Sequence, residues 1–64
     1  MIRTMDMQRA IKSIGKRARK HDISNMYHAL SLCSWDNTEE EEERRIAALY
    51  VLRFWAEYTQ ACRS

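Results

Sequence analysis

His21, His28, Cys33 and Cys62 are the soft metal ligands of this 64-residue chain. None of the close pairs that a structural zinc site normally shows, CxxC, HxxxH or CxxH, occurs among them. His28 and Cys33 stand five residues apart, a spacing that does not share a helix face. The expectation is therefore no metal and no cofactor, with the cysteines as small thiols and the histidines partly exposed. The run Glu39–Glu43 supplies carboxylates. At a helix start in water they are held as anions, and nothing nearby would raise a pKa for acid–base work. There is no serine–histidine elbow and no glycine-rich loop; glycine occurs once, at position 15. The residues point to no catalytic side chain, no small-molecule substrate and no enzyme.

Charge is the stronger signal. The net charge is only +2, yet residues 1–21 carry +6, residues 22–43 carry −7 and residues 44–64 carry +3. On one long first helix, Arg9, Lys12, Lys16, Arg19 and Lys20 would form a basic ridge opposite Met7, Ile11 and Ile14. Such a ridge could neutralise the phosphates of a nucleic acid or meet an acidic partner. The competing reading, which the frequency of Lys/Arg on helix surfaces favours, is the solvated face of an amphipathic helix. A helix-turn-helix register laid over Gly15–Ser24 places Asp22 at the usual glycine position. It then puts Arg17, His21, His28 and Ser31 at core positions, and four buried polar groups argue against it.

These side chains need elements to carry them. One glycine, no proline and abundant Ala, Leu, Met, Glu, Arg and Lys imply an all-α chain. The periodicity predicts one domain of three helices, at about 4–21, 23–33 and 38–62, the last much the longest. Thr4 is the expected cap of the first helix, whose core stripe is Met7, Ala10, Ile11, Ile14 and Ala18. Gly15 lies inside it and weakens it by about 1 kcal/mol relative to alanine. Asp22 or Ser24 would cap the second helix, with Ile23, Met26, Tyr27, Leu30 and Cys33 facing inward. Ser34–Asn37 is a turn cluster, and Thr38 with Glu41 fits the capping box. Glu40–Arg44 and Glu41–Arg45 stand at favourable i,i+4 spacing.

The third helix is apolar over most of its circumference. Ile46, Leu49, Tyr50, Val51, Leu52, Phe54, Trp55, Tyr58 and Cys62 sweep roughly 240° of it, against the roughly 100° stripe of an ordinary surface helix. If Ala47, Tyr50, Val51, Phe54, Tyr58 and Ala61 face the other helices, then Ala48, Leu49, Leu52, Trp55 and Ala56 remain on the opposite flank. Such a patch marks an interaction site, and dimerisation through this helix is the expectation. No uncharged stretch approaches the roughly 20 residues of a membrane span; Ile23–Trp35 is the longest.

From Met1-Ile-Arg-Thr-Met-Asp-Met-Gln-Arg9 to the helix that holds Trp55, the short chain resembles the small accessory proteins encoded in the early, exo–xis region of lambdoid bacteriophages. The resemblance implies an early protein in the host cytoplasm that modulates host physiology and the balance between lysis and lysogeny. It implies no catalytic residue. The charged opening, Met1–Lys20, has no signal-peptide pattern and agrees with a cytoplasmic protein holding reduced thiols. The functional expectation is a non-enzymatic interaction protein, a homodimer or the binder of a host protein. A small DNA-binding regulator using helix 1 is the alternative.

Overall fold

In the computed structural model residues 4–63 are described. Among them are four α-helices and no strand: α1 Met7–Ile14, α2 Lys20–Ser31, α3 Glu39–Arg53 and α4 Trp55–Arg63. A single 3₁₀ turn, Ser34–Asp36, lies between α2 and α3. The all-helical class follows from the composition. The number of helices does not, because two of the three expected helices are cut short.

The first expected helix stops at Ile14. Asp6, not Thr4, caps it, its carboxylate accepting from the Arg9 N–H at 2.9 Å. Gly15 closes it with φ +101°, in the region where a side chain is strained. Arg17 follows with φ +61°, so the chain turns sharply between Gly15 and Arg19. Helix α2 begins at Lys20 with Arg19 at its N-cap and no side-chain cap. Asp22 and Ser24, the expected caps, sit inside it.

The third expected helix breaks at Phe54, whose φ −115° and ψ +46° are not helical. Neither proline nor glycine stands there. The break re-aims the chain so that Tyr58 of α4 drops into the core, while Phe54 packs its ring on Tyr50 at 4.7 Å. Loss of one helical residue is offset by burial of a large aromatic side chain. The start of α3 follows its local signal. Thr38 Oγ1 accepts from the Glu41 N–H at 3.2 Å, and Glu41 accepts from the Thr38 N–H at 3.0 Å.

The core is Ala10, Ile23, Ala47, Ala48, Val51 and Tyr58. Helix α3 is the centre, packing against both α1 and α2. Alanines at Ala10, Ala47 and Ala48 let the helix axes approach closely. Met7, Ile11, Ile14 and Ala18 pack on this core, as the stripe on the first helix predicts. Arg9 ties α1 to α3 through an ion pair with Glu43 at 3.4 Å. Cys33, expected inward, is exposed because the turn after α2 carries it outside.

Candidate functional site: the elbow, the corner and the apolar flank

Two features stand at the ends of α2: a basic elbow before it and an acidic, apolar corner after it. The elbow, residues 15–19, is held by α4. Tyr58 donates its hydroxyl proton to the Gly15 carbonyl at 2.7 Å and accepts from the Ala18 N–H at 3.0 Å. One helical turn on, Cys62 Sγ accepts from the Arg17 N–H at 3.4 Å. Burial pushes the Tyr58 phenol above its ordinary value of 10.0, even though the Ala18 N–H works the other way. The hydroxyl therefore stays protonated and keeps both its donor and its acceptor role. Lys16, Arg17 and Arg19 on this loop, and Lys20 at the start of α2, are exposed.

The expected basic ridge is therefore not continuous. Arg9 is engaged by Glu43, and Lys12 lies on α1 beside a shallow depression that also takes in Glu40, Glu43 and Arg44. Lys16 and Arg19 lie beyond the end of α1, and Lys20 opens α2. Gly15 and Arg17, with positive φ, are the physical reason: no straight helix carries all five cations. A signal was present in the sequence, because a lone glycine before a basic cluster is also a helix C-terminus pattern.

The association residues also divide. Ala48 has no accessible surface, so it belongs to the core and not to an outer flank. Leu49 is half-buried, Leu52 and Trp55 are half-buried against the core, and Ala56 is exposed. Trp55 lies 5.3 Å from the Tyr58 ring, and the Lys20 ammonium stands 6.0 Å from the Trp55 ring centroid. One residue from each expected site thus meets the other. The break at Phe54 explains this, because it rotates the start of α4 toward the elbow.

Among the described residues the large exposed apolar groups lie elsewhere. Trp35 is 79% and Leu32 77% exposed, and Phe54 follows at 42%. Leu32 closes α2 and Trp35 occupies the 3₁₀ turn, so both stand on the corner between α2 and α3. The corner is held from within. Asn37 donates through its side-chain amide to the Leu30 carbonyl at 2.8 Å and to Glu42 at 3.3 Å. Glu42 also pairs with Arg45, whose guanidinium hydrogen bond draws the carboxyl below its usual 4.5. Asp36, Glu39 and Glu40 lie exposed around Trp35 in sequence. The spacing rules missed this corner because they score helix faces, and Trp35 stood in a turn cluster.

Among the described residues no group of three His, Cys, Asp or Glu side chains is arranged to hold a metal. No helix of the described residues is long and apolar enough to cross a membrane. Comparison with protein-family models, with curated proteins and with solved structures returns no match. The functional reading rests on the residues themselves.

Proposed function

We propose that this chain is a non-catalytic helical module that acts by binding a protein partner through the corner at Leu32 and Trp35. The observation that carries the reading is a tryptophan 79% exposed on a turn that two Asn37 hydrogen bonds hold in place. A large aromatic side chain on a pre-organised support loses little conformational freedom on binding, and such groups supply most of the energy of an interface. Of the flank expected to form a homodimer (Ala48, Leu49, Leu52, Trp55 and Ala56), all but the buried Ala48 keep accessible surface. Leu32 and Trp35 are each more exposed than Leu49, Leu52 or Trp55 of that flank. In keeping with the resemblance to early phage accessory proteins, we place this binding in the host cytoplasm, where occupation of a host factor would alter its activity. The test is capture from host lysate on immobilised wild type beside Trp35→Ala and Leu32→Ser. A protein retained by wild type and lost from both variants supports the reading; equal retention on all three sinks it.

One observation favours a second reading. Lys16, Arg17, Arg19 and Lys20 place four exposed cations within five residues. Phosphate contact there would make the chain a nucleic-acid binder with affinity falling steeply as salt rises. Absence of any shift of duplex or single-stranded DNA at low salt removes that reading.

A further inference from the structure

Besides the corner, the structure holds an apolar groove that none of the described residues fills. It has a volume of about 330 Å³ and lies between the elbow and α4, lined by Arg17, Ala18, Tyr58, Thr59, Cys62 and Arg63. It is an open depression, wide enough for its apolar lining to meet one face of an aromatic side chain. The two arginines at its edge are exposed, and Lys16, Arg19 and Lys20 extend the positive field along the elbow. The corner is opposite to it in sign. Trp35 and Leu32 protrude there, and Asp36 next to Trp35 and Glu39 at the start of α3 are exposed.

The two surfaces cannot meet within one molecule. They stand at opposite ends of α2, whose 12 residues span about 18 Å at 1.5 Å per residue. Among the described residues none of these elbow or corner charges forms an ion pair within the chain. We infer that the corner of one copy docks into the elbow groove of a second copy, Trp35 entering the groove while Asp36 and Glu39 face the basic edge. The inference rests on the reading that Trp35 is a binding anchor, and it names the occupant as this same chain. Because the two surfaces differ, the contact is head-to-tail, and each added copy exposes a fresh corner and a fresh groove. Opposite charges set the register and favour encounter, and salt weakens both effects.

The geometry dictates a mixing experiment. Trp35→Ala keeps the groove and loses the anchor; it leaves folding untouched because the side chain is mostly in water. Thr59→Arg keeps the anchor and lays a long side chain across the groove. Double replacement of Arg17 and Arg63 by Glu is an independent way to disable the groove without filling it. In sedimentation velocity at low salt, the weight-average mass of the wild type should more than double between micromolar and millimolar concentration. Each variant alone should stay monomeric, and an equimolar mixture of Trp35→Ala with either groove variant should halt at two chains. That one-sided rescue distinguishes head-to-tail docking from a symmetric contact of corner on corner. A wild type that stays monomeric at millimolar concentration overturns the inference, as does a Trp35→Ala variant that associates like wild type. If the monomeric wild type still captures a lysate protein through Trp35, the self-docking is wrong and the binding reading survives.

Discussion

The elbow at residues 15–19 and the corner at residues 32–37 are both turns flanking α2, yet they are built from opposite kinds of contact. The elbow is held from a distance: its hydrogen bonds run to Tyr58 and Cys62, 40 to 45 residues along the chain. The corner is held from nearby, by Asn37 reaching seven residues back to Leu30 and five forward to Glu42. A turn clasped from afar forms only when the rest of the molecule has folded. A turn built from its own neighbours can form early and persist if packing loosens.

The largest break in this contrast is at Tyr58. Tyr58→Ala removes a buried aromatic side chain and both elbow bonds, and should cost about 3–5 kcal/mol in urea unfolding followed by circular dichroism. Tyr58→Phe keeps the ring and leaves the Gly15 carbonyl and Ala18 N–H without their partner, a loss of about 1–3 kcal/mol. Amide exchange should accelerate at Ala18 and remain unchanged at Asn37. Equal acceleration at both turns would show that they are not independent. The pH dependence has the same origin. Tyr58 is raised in the folded state, so its contribution is whole below the ordinary value of 10.0 and falls as pH climbs through the raised one. Stability should decline in that alkaline window for wild type and more shallowly for Tyr58→Phe.

Asn37→Ala should cost about 1 kcal/mol, with the loss seen as faster exchange at the corner and an unmoved elbow. Glu42→Gln tests the second corner partner. Glu42 is lowered in the folded state, so its contribution is present above the usual 4.5 and is lost as pH falls through the lowered value. The Arg45 and Glu42 side chains are 24% and 35% exposed, so solvent screening limits the pair to a few tenths of a kcal/mol. A shallower acid limb of the stability curve in Glu42→Gln is the measurable sign. Trp35→Ala should change stability least, by no more than about 0.5 kcal/mol, while abolishing any association that the corner supports. A strongly destabilised Trp35→Ala would place the indole in the fold and remove it from the binding surface.

The same division separates what could be read before folding from what could not. All-helical class, the capping box at Thr38 and Glu41 and the inward stripe of Met7, Ala10, Ile11 and Ile14 depend on residues within one turn of each other. Such short-range patterns survive in one dimension. The basic residues were legible as a cluster, but their division between α1, elbow and α2 was not. That division follows from positive φ at Gly15 and Arg17, stabilised by hydrogen bonds from α4. The apolar flank was legible as an excess of apolar side chains, but its disposition was not. Packing alone decided that Ala48 is core, that Trp55 lies near Lys20 and that Phe54 ends α3.

The sequence by itself determined the helical class, the charge blocks and the excess of apolar surface, because propensity, formal charge and hydrophobicity are carried by individual residues and their near neighbours. Only the tertiary structure decided which apolar groups stay outside and where opposite charges stand. A ring that both buries itself and satisfies its hydroxyl joins the two ends of the chain: four residues past the break at Phe54, Tyr58 ties α4 to the elbow and clasps the turn at Gly15.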